Sequence, residues 1–182
     1  TIWGVNFLFI KLAVAEVGPV TNVWGRLVMA ALLLYIFMKL SGNMGFSDWK
    51  EIAETCLKYL NNPEIDGIII THGTDTMAYT SAALSFSLSG TPIPIILVGS
   101  QRSTDRPSSD GFTNLMGALQ FCLKSNMAGV FVAMHTNLND DRIAIHIGTK
   151  ARKNHTSSRA AFESVNSLPV AYIEKEKIIQ RS

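Results

Sequence analysis

Residues 67–77 read GIIITHGTDTM. Consecutive β-branched apolar residues suit a strand buried on both faces, as in a parallel sheet. The run stops at a Thr-His-Gly-Thr-Asp-Thr cluster, and in open α/β sheets ligands gather beyond the carboxyl ends of the strands. A hydroxyl beside a carboxylate at that point is placed for chemistry, so function is expected at Thr74 and Asp75. The competing use of these residue types is a turn that caps the following helix.

Downstream of a polar start at Ser47, the pattern alternates between helix and strand. Trp49, Ile52, Ala53, Cys56, Leu57 and Leu60 recur at helical spacing, and Asn61-Asn62-Pro63 ends that helix. Residues 76–89, rich in Ala and Leu, suit a helix returning across a sheet and closed by Gly90-Thr91-Pro92. Residues 93–98 form a second apolar strand broken by Gly99. Phe112, Leu115, Met116, Leu119, Cys122 and Leu123 make a further helical stripe, and residues 130–134 a third strand. Three buried strands joined by two helices predict a right-handed βαβαβ layer with parallel strands, hence an α/β sandwich. Short strands are expected at 142–147 and 170–173, with a polar loop between them. There is no internal repeat and no low-complexity tract.

Upstream, the composition changes. Residues 1–40 carry only Lys11, Glu16, Arg26 and Lys39 as charges, so the net +2 of the 182-residue chain resides there. Residues 27–38, LVMAALLLYIFM, are unbroken apolar, and with Gly18-Pro19 as a turn the segment predicts an apolar helical hairpin. Its second arm is long enough to cross a bilayer, which takes roughly 20 apolar residues. A secretory signal fits less well, because there are two apolar blocks and no small-x-small site after Met38. A buried hairpin of a water-soluble domain is the remaining alternative.

Cys56 and Cys122 stand far apart on the apolar faces of predicted helices and read as reduced core residues, which places residues 41–182 in the cytoplasm. His72, His135, His146 and His155 have no metal-ligand spacing, so no metal is assigned. The basic run Lys150, Arg152, Lys153, His155 and Arg159 reads either as a phosphate or tRNA contact or as a solvated loop. Zero net charge over residues 41–182 argues against a strong nucleic-acid surface. The Arg102, Asp105, Arg106 and Asp110 alternation reads as a self-paired structural loop near a subunit interface.

Four motifs stand in order: Ser41-Gly42-Asn43-Met44, His72-Gly73-Thr74-Asp75-Thr76-Met77, Val98-Gly99-Ser100-Gln101-Arg102-Ser103 and Arg152-Lys153-Asn154-His155-Thr156. Together they resemble the bacterial-type L-asparaginases, and the stretch from Arg102 to Asp110 is most similar to the D-type subunit of the archaeal glutamyl-tRNA(Gln) amidotransferases. Thr1-Ile2-Trp3-Gly4-Val5-Asn6-Phe7 with Ile10, Lys11, Leu12, Pro19 and Arg26 resembles the opening helical hairpin of an EamA-type drug/metabolite transporter. The resemblances imply an incomplete asparaginase-like α/β domain over 41–182, preceded by a transmembrane-like hairpin over 1–40.

By resemblance, Thr74, Asp75 and Lys153 form a catalytic triad in which the lysine readies the threonine hydroxyl and the aspartate orients both. A hydroxyl is a poor nucleophile or proton relay at neutral pH without an adjacent base, and a desolvated lysine can serve as one. Ser41, Thr74, Asp75 and Ser100 would bind substrate. Gly42 stands where the family has Gln or Glu, and the family's Thr-Gly-Gly-Thr-Ile turn, whose threonine is the principal nucleophile, occurs nowhere in these 182 residues.

The resemblance therefore implies amide hydrolysis of asparagine or glutamine with release of ammonia. In the amidotransferase setting the ammonia serves the conversion of glutamyl-tRNA(Gln) to glutaminyl-tRNA(Gln), with ATP and a tRNA-binding partner subunit. A homo-oligomer is implied and no cofactor. On this reading the chain is incomplete and nearly inactive alone, and residues 1–40 contact a membrane. The alternatives are a fragment of a transporter, or a non-catalytic fusion remnant.

Overall fold

In the computed structural model, residues 48–182 are described, apart from residues 104, 138, 140, 141, 176, 181 and 182. The hairpin expected at 1–40 and the Ser41-Gly42 pair lie outside them. Among the described residues no helix is long and apolar enough to cross a membrane.

The chain enters helix α1 (Asp48–Leu60), strand β1 (Ile68–Thr71), helix α2 (Thr74–Ser87), strand β2 (Pro94–Val98), helix α3 (Gly111–Lys124) and strand β3 (Gly129–His135). β4 (Arg142–Ile147), β5 (Ala151–Lys153), β6 (Phe162–Ser164), β7 (Ala171–Glu174) and β8 (Lys177–Gln180) follow. The main sheet runs β1-β2-β3-β4-β7-β8. β1, β2 and β3 are parallel neighbours, with Ile68 opposite Ile95 and Ile95 opposite Val130, as the strand-helix alternation predicts.

The expectation of a parallel-sheet sandwich holds for those three strands and is corrected beyond them. β4 pairs antiparallel with β3, β7 with β4, and β8 with β7, so the sheet is mixed. For β3 and β4 the physical reason is connection length: residues 136–141 are too few for a crossover, which needs a dozen or more, and allow only a hairpin. A second correction concerns the polar loop after β4. It contains β5 and β6, a separate two-stranded antiparallel sheet with Lys153 opposite Phe162. Strands of three residues are too short to show a period.

Strand alternation divides the core in two. Ile95 and Leu97 of β2 face one way, with Val130, Val132 and Met134, against Met77, Ala78 and Leu84 of α2 and Ala53 and Cys56 of α1. Ile96 and Val98 face the other way, with Phe131 and Ala133, against Ala118, Phe121 and Cys122 of α3. The third correction is the face α3 buries. Phe112, Leu115, Leu119 and Leu123 of the expected stripe point outward, and the inner face is Asn114, Gly117, Ala118, Phe121 and Cys122. Close approach explains it, since a methyl group on Gly117 would lie 2.9 Å from Ile143 Cγ1. The helix is apolar nearly all round, so only the small side chains identify the side that can sit down on the sheet.

Both cysteines are free and buried, as their positions in the apolar pattern predict. Burial raises both thiol pKa values, that of Cys122 to about 11. Neither is a nucleophile at neutral pH.

Candidate active site

Thr74 opens α2 directly beyond β1, and the helix caps on Gly73 without any side-chain hydrogen bond. The capping role for Thr74 and Asp75 is thereby excluded. The Thr74 hydroxyl instead makes two long-range contacts: it accepts a hydrogen bond from Lys153 Nζ at 2.9 Å and donates to Gln101 Oε1 at 3.0 Å. Lys153 also donates to Asp75 Oδ1 at 2.7 Å.

The two ends of that ion pair live in different environments. The Lys153 side chain is only 12 % exposed, whereas that of Asp75 is 94 % exposed. The hydrogen bond from Lys153 and then its positive charge hold the Asp75 carboxyl below the usual range. Asp75 also sits in the first turn of α2, where the helix dipole favours a negative charge.

Lys153 arrives from β5, 79 residues after Thr74 in the chain. β5 is fixed by its ladder with β6 and by Ala151, which is buried in the α2 side of the core. On the other flank, Gly99 lets the loop after β2 close in on Thr74. A Cβ there would meet the His72 carbonyl oxygen at 2.5 Å and Met77 Cε at 2.7 Å. No side chain fits that gap.

A cleft of about 640 Å³ opens beside these strand ends, lined by Thr71, His72, Gly73, Gly99, Ser100, Phe112 and Leu115 among others. Ser100 stands at the wall of this cleft, while Ser41 lies outside the described residues. Thr74 directly follows the lining residue Gly73. The cleft is mostly apolar, with its polar groups at the strand ends, the usual make-up of a small-molecule site.

The sequence reading missed Gln101, Asp110 and Asn114. Asp110, fully buried, accepts the backbone N–H groups of Gln101 at 3.0 Å and Arg102 at 2.9 Å, and Asn114 Nδ2 at 3.1 Å. Asn114 Nδ2 also donates to the Gly99 carbonyl at 2.9 Å, and its oxygen meets His135 Nδ1 at 2.6 Å. The loop between Ser100 and Asp110 is therefore held by carboxylate-to-backbone bonds, and the expected pairing of its arginines with Asp105 and Asp110 is not what organises it. Among the described residues no cluster of His, Cys, Asp and Glu is arranged to hold a metal ion.

The family model described as "Asparaginase, N-terminal" matches residues 13–182. It reaches back into the segment that resembles a transporter hairpin. That transporter resemblance, and the fusion and truncation built on it, find no support in the comparisons. The D-type subunit of the glutamyl-tRNA(Gln) amidotransferase of Methanosphaera stadtmanae is 51 % identical over 143 residues, covering 79 % of this chain and 32 % of the relative. The corresponding subunit of Thermococcus kodakarensis is 45 % identical over 161 residues, 88 % of this chain and 34 % of the relative. The chain spans about a third of the length of these curated relatives.

Among solved structures, the thermostable L-asparaginase of Thermococcus kodakarensis superposes with a TM-score of 0.67 at 36 % identity, over 78 % of this chain and 40 % of that one. The probable cytoplasmic L-asparaginase of Campylobacter jejuni gives 0.67 at 31 % identity, over 78 % and 44 %. With the strand-end site, the mixed α/β sheet and a family match over nearly the whole chain in agreement, this chain belongs to the asparaginase N-terminal family.

Proposed function

We propose that this chain carries the proton-handling part of an amide hydrolase acting on the side-chain amide of asparagine or glutamine, with ammonia as product. The observation that carries the reading is the Thr74 hydroxyl held at 2.9 Å from the nearly buried Lys153 ammonium, which in turn is paired with Asp75. Loss of one proton from Lys153 leaves a lone pair at hydrogen-bonding distance from a hydroxyl, the geometry of general-base catalysis. Exposed Asp75, kept ionised by Lys153, offers a carboxylate to a substrate α-amino group, and Ser100 a hydroxyl at the cleft wall. Similarity to subunits named for glutamyl-tRNA(Gln) amidotransferase supports that amidation, with a partner subunit, as the setting; a cytoplasmic location and tRNA binding by the partner belong to the same proposal. No cofactor enters the scheme.

Amide hydrolysis needs a nucleophile at the amide carbon, and the Thr-Gly-Gly-Thr turn of the family does not occur in these residues. A polypeptide of this sequence is therefore expected to bind amino-acid amides but turn them over slowly. Loss of the nucleophile from a hydrolase triad costs on the order of 10⁶-fold. The test is binding of asparagine and glutamine by NMR titration, together with ammonia release. Asp75→Ala should weaken binding by about tenfold or more, the loss of a hydrogen bond to a charged group. Absence of binding sinks the proposal, as does ammonia release at the rate of an intact asparaginase that survives Thr74→Ala.

A further inference from the structure

The contact between Thr74 and Gln101 has a direction that the donors and acceptors around it dictate. Lys153 is a pure donor in its ammonium form, so it occupies a lone pair of the Thr74 oxygen. The single hydroxyl hydrogen must go to an acceptor, and Gln101 Oε1 at 3.0 Å is that acceptor. With the amide oxygen turned to Thr74, the amide nitrogen faces the His155 carbonyl at 3.5 Å, two residues beyond Lys153. Gln101 thus touches both the threonine and the loop that follows the lysine.

The placement of Gln101 comes from the interior. Its backbone N–H donates to Asp110, whose carboxylate is fully buried and also receives the N–H of Arg102 and the amide of Asn114. Asn114 and His135, both fully buried and in contact at 2.6 Å, hold the far end. A buried carboxylate with three donors is costly to disturb, because the carboxylate itself would lose partners out of reach of water. The chain of contacts runs from the core of α3 and β3, through one side chain, to the hydroxyl.

We propose that Gln101 is the positioning residue for Thr74. It fixes the hydroxyl hydrogen away from Lys153 and the oxygen lone pair toward it, and together with Lys153 it holds Oγ1 in one of the staggered χ1 wells open to a threonine. It acts through Thr74. The proposal rests on the functional reading only for its catalytic meaning, since the geometry itself is independent of turnover.

The experiment is NMR on the full chain with ¹³C-methyl threonine, reading the Thr74 χ1 rotamer from three-bond couplings, with thermal unfolding as a control for folding. Wild type should show a single rotamer. Gln101→Leu and Gln101→Met, which keep the bulk but remove the acceptor, should show averaged couplings, and Gln101→Glu, which restores an acceptor oxygen, should return the single rotamer. The two non-accepting variants cover the case in which one of them does not fold. A single rotamer in either folded non-accepting variant, or averaging that Gln101→Glu fails to repair, overturns the proposal. A wild-type chain that binds no amino-acid amide would strike the functional reading alone and leave this result standing.

Discussion

Lys153 binds two side chains at once, and its effect on each can be separated. Its hydrogen bond and charge are the main causes of the lowered Asp75 pKa, so the carboxylate stays ionised to a lower pH than an ordinary aspartate. A depressed carboxyl pKa stabilises the folded form above the unfolded value, and that contribution is lost as pH falls through the folded one, here below the usual 3.8. Lys153→Met keeps the aliphatic stem in its nearly buried channel and removes the charge. The Asp75 carboxyl, followed by ¹³C NMR during acid titration, should then move up toward the ordinary aspartate range. An unchanged titration would show that the helix dipole, not Lys153, sets it. Because Asp75 is almost fully exposed, the variant should change site electrostatics far more than global stability.

Two elements meet at His146. It lies on β4, is 2 % exposed, and reaches Ser164 Oγ on β6 at 2.8 Å, while its Nε2 has no partner among the described residues. This contact ties the small sheet that carries Lys153 to the main one. Burial lowers the His146 pKa to about 4 from 6.5. As pH falls below 6.5 the unfolded chain takes up a proton that the folded chain refuses, so stability declines until the pH nears 4. A shift of that size corresponds to about 3 kcal/mol across the window. Chemical denaturation at pH 7 and pH 4.5 should show this loss in wild type and a much smaller one in His146→Gln, after any constant cost of the substitution. Equal slopes for the two proteins would contradict it.

At the scale of the whole molecule, stability follows the sheet from its centre outward. Every residue of β2 is buried, as are all of β3 but the first, and both strands are covered on both faces, whereas β8 is largely exposed. Native-state hydrogen exchange should therefore be slowest in β2 and β3, close to global unfolding, and fastest in β8 among the strands. The site sits at the carboxyl ends of β1 and β2, next to the slow-exchanging centre, and draws its lysine from the more peripheral β5–β6 hairpin. Comparable protection in β8 and β2 would overturn this picture.

The apolar run before His72, its sharp end and the strand-helix alternation were legible because their periods are local, and they determined three parallel strands, the two helices between them and the position of Thr74 and Asp75. The ordered motifs singled out Lys153 as well. What only the tertiary structure decided were matters of contact between distant residues: which side of α3 is close enough to the sheet to demand small side chains, and how the short β5 brings Lys153 to Thr74. The same holds for the buried Asp110, which reads as one more loop charge until its three donors converge on it. A hydrogen-bond network joining residues tens of positions apart leaves no periodic trace, since each member satisfies its local pattern equally well without the others.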